Sequence, residues 1–461
     1  MTRLLNTHSA SPGSAAVSCS GVEETDAYGP AFWLTYLANA LAAAAVNMLV
    51  RYADFVTYLG GAEAQLGLIV GTGMLGSMAM RSAQGVAIDR YGARRVWLLS
   101  LASFAISLVA HLGIARANGP GIYLVRMLMQ TSIAGVFGAS ITSISRRVPP
   151  ERMAEIVGTL GTSGFLGVLL GPQLSDWICG SGPIGRLQLD RLFLAAASLA
   201  VLALVATWWA TRGEPHPPRR RLPAMFPVLR RYNPGVVMLV AVAVGGALTI
   251  PNTFLRTFAD ERNIPNIGFF FAVYAVIAFV VRLLTRNLFV RYGNRPWVLL
   301  GMGLLCVSFP LYLVVHRPWE LVIPGVVAGV AHAVLFPSVV ASGSTCFPER
   351  YRGLATTLML AMFDLGSLVG APLVGGILHW ARVVRLPAYP TMFVTMAMLA
   401  GSIATVFFLS SNPRSVRGMP PGKATPRPAR GAAGVASGKP PRAAGTAGGQ
   451  RKPSQVAANK R

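Results

Sequence analysis

The amino-acid sequence predicts an all-α membrane protein, twelve transmembrane helices in two pseudo-symmetric six-helix bundles. Three observations lead there. The 461 residues are 53% hydrophobic and only 12% charged, with a mean hydropathy of +0.53, too apolar for a water-soluble chain of this length. Apolar runs of about 20 residues recur from end to end, each long enough to cross a ~30 Å hydrocarbon layer as a helix. The chain also repeats itself. MRSAQGVAIDRYGARRVWLLS (Met80–Ser100) and VRLLTRNLFVRYGNRPWVLLG (Val281–Gly301) superimpose at an offset of 201, with Arg81 on Arg282, Arg90 on Arg291, Tyr91 on Tyr292, Gly92 on Gly293 and Arg94 on Arg295. Membrane proteins made of two similar halves place their sites in the cleft between them.

Residues 1–30 carry Glu23, Glu24 and Asp26 and lack a basic-then-apolar leader. They read as a cytoplasmic segment, with the first spanning helix as its own insertion signal. The N-terminal bundle, 31–211, begins with helix 1 over 31–58. Its Asn39, Asn47, Arg51 and Asp54 fall within about a 120° arc, a polar stripe suited to a cleft, and Arg51 and Asp54 are spaced to pair. Helices 2 (64–85) and 3 (96–115) flank the first basic turn. Helix 4 (120–144) holds Arg126 and Gln130 near midspan. A guanidinium there needs a partner, and its fixed charge can bind a carboxylate or favour the ionised form of a nearby acid. Helices 5 (153–178) and 6 (190–211) complete the half. TRGEPHPPRRRLPAMFPVLRRYNPG follows; its prolines and arginines cannot form a spanning helix, and it predicts a cytoplasmic linker over 212–233.

The C-terminal bundle, 234–411, opens with helix 7 (234–257). Its end carries Asn252 and Arg256, 205 residues after Asn47 and Arg51, and Asp260 follows as Asp54 follows Arg51. These four charged groups, Arg51, Asp54, Arg256 and Asp260, read as an outer gate. Helix 8 (265–290) offers Tyr274 as a cavity-liner candidate, against core packing as the commoner role of such a tyrosine. Helix 9 covers 297–315. Helix 10 (319–343) sets His332 on the face of Gly325 and Gly329, where a histidine satisfied by close packing is expected. Helix 11 (353–381) places Asp364 near mid-membrane on the face of Ser367, Ala371 and Gly375. An intramembrane carboxylate is a candidate for loading and releasing a proton. Its start matches that of helix 5, with Glu151 on Glu349. Helix 12 covers 388–411. The substrate- or proton-binding candidates are therefore Asp364, Arg126, Gln130, Asn39, Asn47, His332 and Tyr274, with Arg126 and Asp364 facing each other across the cleft. Arg81 and Arg282 read as snorkelling to the cytoplasmic interface.

Formal net charge is +25. Residues 412–461 hold seven Arg, all four Lys and no acid. Their Pro, Gly, Ala and Ser content predicts a disordered tail that can lie on anionic headgroups. Without aromatic interleaving or a nucleic-acid motif, a nucleic-acid partner is excluded. Between these helices the even-numbered connections hold 16 arginines, against 6 for the odd-numbered ones. Both termini are therefore expected in the cytoplasm. Cys19, Cys179, Cys306 and Cys346 show no metal or redox spacing. Neither a metal cluster, a nucleophile–base pairing nor a G-x-x-x-x-G-K loop occurs, which argues against an enzyme, a cofactor and nucleotide-driven pumping.

GVAIDRYGARR resembles the G-x-x-x-D-R-x-G-R-R loop between helices 2 and 3 of the major facilitator superfamily. Gly85, Asp89, Arg90, Gly92, Arg94 and Arg95 match, Ala93 shifts the basic pair by one, and Val290 replaces the acid in the second copy. YLVRMLMQTSIAG is similar to the R-x-x-Q-G motif of helix 4, with Thr131 for its glycine. GFLGVLLGPQLS resembles the antiporter motif of helix 5 without the closing glycine pair. Helices 8 and 11 are similar to small bacterial sugar and drug efflux permeases. The resemblance implies the major facilitator fold, a gating role for Gly85, Asp89, Arg90, Gly92 and Arg94, and alternating access by rocking of the bundles. The expected function is proton-coupled export of a small organic solute by a monomer in a bacterial-type inner membrane. An uptake symporter or facilitator, and a carrier fold retained as a membrane sensor, are the alternatives.

Overall fold

The computed structural model describes residues 28–145, 147–148, 152–180, 182, 184–213, 231–285, 288–348 and 351–411. The segment 1–27, most of the linker, Glu151, Glu349 and the basic tail lie outside them. The first six helices are α1 (Pro30–Tyr58, with a 3-10 turn at Leu49–Arg51), α2 (Glu63–Tyr91), α3 (Ala93–Gly113), α4 (Pro120–Ser145), α5 (Met153–Cys179) and α6 (Arg186–Ala210). The second six are α7 (Val236–Glu261), α8 (Gly268–Thr285, continued by a short helix Leu288–Tyr292), α9 (Asn294–Val314), α10 (Pro318–Thr345), α11 (Arg352–Val383) and α12 (Ala388–Ser410). Eleven are long and apolar enough to cross a membrane. The twelfth, α2, is diluted by its glycines and Arg81 and lies packed between neighbours.

Large apolar side chains such as Leu99, Ile106, Leu284 and Leu409 remain exposed on the outer faces of the bundles, as a lipid-facing surface requires. Exposed tryptophans mark its two edges: Trp33, Trp208 and Trp209 at the end where α1 begins and α6 finishes, Trp177, Trp319 and Trp380 at the opposite end. Indoles favour the two membrane–water interfaces. The end bearing connections 1–2, 7–8 and 11–12 is called the odd face below, the other the even face.

The repeat is physical as well as textual. Gly92 (φ 85°) and Gly293 (φ 74°) both turn the chain between their helices in a left-handed conformation that costs glycine nothing. This turn, and not Gly85, ends the second helix: α2 runs six residues beyond the predicted stop at 85, so Gly85, Asp89 and Arg90 are helical. Near the odd face each bundle is tied by a corresponding aromatic knot. His111 stacks on Phe193 at 4.7 Å in the first, and Tyr312 on Phe393 at 4.8 Å in the second. Between the bundles, α2 packs on α11 and α5 on α8. Glycine makes the first contact possible: a Cβ on Gly67 would run into the Ala371 carbonyl, and one on Gly71 into Pro372. Small residues at such crossings let backbones approach where no hydrophobic force drives helices together.

Candidate functional site

A cavity of about 220 Å³ opens at the centre, between the bundles. Asn47, Arg126 and Gln130 supply its polar wall from the N-terminal bundle, Thr249, Asn252, Thr253 and Ser367 from the C-terminal one. Each is on the wall for a local reason. Asn47 donates to the Ala43 carbonyl of its own helix (2.8 Å), which leaves its amide oxygen free. Gly73 of α2 clears the space that the Arg126 side chain crosses. The Arg126 guanidinium lies 4.2 Å from the Tyr52 ring centroid. Ser367 accepts from the Thr249 hydroxyl at 2.8 Å.

On the odd-face side the cavity ends at a charged clamp. Arg51, fully buried, donates through Nε to Asp176 Oδ1 (2.7 Å), through Nη1 to Asp54 Oδ2 (3.2 Å) and through Nη2 to the Pro265 carbonyl (3.2 Å). Arg256 reaches Asp54 Oδ1 (2.9 Å) and Asp260 (2.6 Å). Asp176 Oδ2 accepts the Gly268 N–H at 2.7 Å, a carboxylate at the positive end of α8. A Cβ at residue 268 would press on the Asp176 carboxylate and the Gln173 amide, so a larger residue there would displace the pair that closes the clamp. Beyond the clamp lies a second depression, of about 450 Å³, bordered by Asp54, Arg256 and Asp260. Val50 and Thr253 face the inner cavity, Asp54 and Arg256 the outer one. The wall is thus one helical turn thick, ~5–6 Å. At its edge Arg382 of α11 pairs with Glu63 of α2 and lies 3.6 Å from Glu261.

Towards the even face two contacts join the bundles. Arg81 Nε meets Asp364 Oδ2 at 2.5 Å, with Ser77 Oγ on the same oxygen at 2.6 Å. Phe165 of α5 packs on Phe279 and lies 5.0 Å from the Arg282 guanidinium. One and two turns further along that stripe of α5, a Cβ on Gly161 or Gly158 would meet open space. Ion pairs join the bundles at the odd face, while these two positions of α5, nearer the even face, have no neighbour.

The four predicted gate residues meet as expected, now with Asp176 as a fifth member. Arg126, Gln130 and Asn47 line the cavity. Three expectations need correction. Asp364 faces Arg81, not Arg126: the long arginine of α2 reaches it first, while Arg126 turns to Tyr52. Arg81 and Arg282 do not snorkel. Arg81 is held by Asp364, and Arg282 lies over Phe165 and Phe336 with Nε buried and unbonded. Tyr274 does not line the cavity: it bonds at 2.6 Å to His332 between α8 and α10, where His332 has the packed, satisfied place expected of it and no share in the cavity wall. Asn39 is buried with Oδ1 unbonded, away from the cavity wall. Among the even-face candidates Asp89 is half-buried, Arg90 lies against Tyr91 and Arg94 against Trp208. Asp176 carried a legible signal, a carboxylate in an apolar helix. The Glu63–Arg382 pair had none.

Two bundles around a central polar cavity, closed at one end by ion pairs between them, define a membrane carrier. The comparisons with known proteins agree. The family model described as Major Facilitator Superfamily matches residues 32–289 and 237–448, and the chain belongs to that family of multi-pass transport proteins. It is 24% identical to the staphylopine export protein of Staphylococcus aureus (strain Mu50 / ATCC 700699) over 80% of this chain and 90% of that one. It is 25% identical to the multidrug resistance protein MdtG of Salmonella paratyphi C (strain RKS4594), over 67% and 77%. In fold it is similar to a mutant form of the nucleoside transporter NupG, with a TM-score of 0.71 at 15% identity over 83% of this chain and 99% of that one.

Proposed function

We propose that this transporter exports a small organic solute in exchange for protons by alternating access. The observation that carries the proposal is the clamp: a wall one turn thick, built from both bundles, separates a central cavity from a depression on the odd face. Rocking the bundles apart there breaks Arg256–Asp54, Arg51–Pro265 and Asp176–Gly268 and joins the two spaces. The name of the staphylopine export relative supports the direction, and the multidrug resistance name of MdtG fits it. The arginine asymmetry supports a bacterial-type inner membrane protein with the even face, both termini and the linker in the cytoplasm, and the basic tail on anionic lipid. In that orientation the clamp closes the outer side, and the unfilled space beside Gly158 and Gly161 supports an inward-facing reading. Asp364 is the proton carrier in this reading. A proton there removes the charge that Arg81 binds, so loading it and freeing α2 from α11 become one event. Asp89, near the even-face end of α2, holds the opposite state against the start of α11, and a monomer is the working unit.

The test is uptake by proteoliposomes with an imposed pH gradient, screened against metabolites and drugs. Gradient-dependent accumulation of a solute is expected, and movement indifferent to the gradient overturns proton coupling. A reporter fused after Arg461 that is active only outside the cell overturns the orientation.

A further inference from the structure

We infer that the transported solute carries an anionic oxyacid group of the carboxylate class, held by Arg126 beside Gln130; this rests on the transport reading for the use of the cavity, not for what the cavity binds. Arg126 is 8% exposed, lines the cavity and leaves Nε buried without a hydrogen-bond partner. Its contacts are the Tyr52 ring and the Met129 sulfur, 3.9 Å from Nη1. Neither accepts as an oxygen does, yet a guanidinium presents five N–H donors in a plane that fits two oxygens side by side. Gln130, one turn on, is engaged only by the Met74 sulfur at 3.5 Å, so a second donor stands next to the first.

Among the described residues no acid answers Arg126 from within. Among the described residues lining the cavity there is no Asp or Glu. The interior carboxylates are committed elsewhere: Asp54 to Arg51 and Arg256, Asp176 to Arg51, Asp364 to Arg81. An unpaired buried cation is unfavourable, and stacking on Tyr52 offsets only part of that. A bound anion removes the remainder. A cationic amine would meet the same guanidinium with no carboxylate to neutralise it. The rest of the lining sets the remaining chemistry. Val46, Leu49, Val50 and Val70 accept a short hydrocarbon, and Asn252 and Thr253 accept neutral polar groups. At about 220 Å³ the space is below the ~300–1,000 Å³ common for drug-sized ligands. The class is therefore a small amphipathic acid.

The experiment is thermal unfolding of the full-length purified protein in detergent with two matched sets, benzoate, benzamide and benzylamine, then hexanoate and hexanamide. Sodium chloride and sulfate at equal ionic strength serve as controls. The acids are expected to raise Tm by about 2 °C at tenfold excess over Kd and to bind on the order of 10–100-fold tighter than their amides. Arg126→Gln should erase that preference, and Arg126→Lys, the safer variant for folding, should keep part of it. Benzylamine matching benzoate, acids matching amides, inorganic salts producing the whole shift, no shift with either acid, or a preference that survives Arg126→Gln each overturn the inference. Binding without a gradient separates the two readings: a protein that prefers acids but moves nothing keeps this inference and loses the transport reading, and one that accumulates only cations does the reverse.

Discussion

Replacing Asp176 by Asn should unlock the odd face. Two charge-assisted bonds end on this carboxylate, each 2.7 Å: one from Arg51 within its own bundle and one from the Gly268 N–H of the other. Bonds to a charged group contribute about 1.5–3 kcal/mol each. Asparagine keeps one acceptor oxygen but loses the charge, and Arg51 remains buried with only Asp54 and a carbonyl. The closed state should lose about 2–4 kcal/mol, while the open state, where water reaches residue 176, should lose little. At a tenfold change per 1.4 kcal/mol, the closed-to-open ratio falls roughly 30- to 700-fold. The assay starts from a variant with all four cysteines replaced and Thr253→Cys added on the cavity wall. Labelling by a membrane-impermeant maleimide from the odd face should be slow in the parent and at least tenfold faster with Asp176→Asn. Equal rates would mean that the clamp does not control access, and the mechanism built on it would fail.

Asp364→Asn should reduce gradient-driven accumulation to background and leave solute counterflow within about threefold of the parent, with Arg81→Gln behaving alike; accumulation at the parent's level would place the proton site elsewhere, with Asp54 the next candidate. Gly67→Leu drives a side chain into the Ala371 carbonyl, an overpacking worth about 1–3 kcal/mol, so Tm should fall by about 1–4 °C and odd-face labelling should rise; an unchanged Tm would show that the α2–α11 crossing tolerates separation. Asp89→Asn should shift the carrier further towards the even-open state, and Val290→Asp in the second copy should do much less. Even-face labelling of a cavity cysteine unchanged by Asp89→Asn would contradict this.

The helices, the repeat and most of the clamp were legible because each is a local contrast. Arg51, Asp54, Arg256 and Asp260 stand out as charges at the ends of apolar runs, and a recurring spacing tied one set to the other. The partner of Asp364 was not legible. Whether Arg81 reaches inward or to the interface depends on how far α2 slides along α11, and that offset is set by glycine contacts such as Gly67 on Ala371, which periodicity does not encode. The same holds for Arg126. The sequence places it at midspan, but which of its neighbours supplies a carboxylate is a matter of three-dimensional register, and among the described residues none does.

The seams that hold the two halves together near the cavity are not chemically equivalent, although the repeat relates them. Where α2 meets α11, Arg81 is bound to a carboxylate that can take up a proton. Where α8 meets α5, the corresponding Arg282 rests on the ring of Phe165, which cannot. At this depth a protonatable contact sits on one side of the axis only; the α5–α8 seam has its carboxylate, Asp176 on the Gly268 N–H, at the odd-face end. In the proposed proton-coupled cycle, a molecule assembled from two like halves would work as a hinged door does: the phenylalanine side would carry the hinge, the aspartate side the latch.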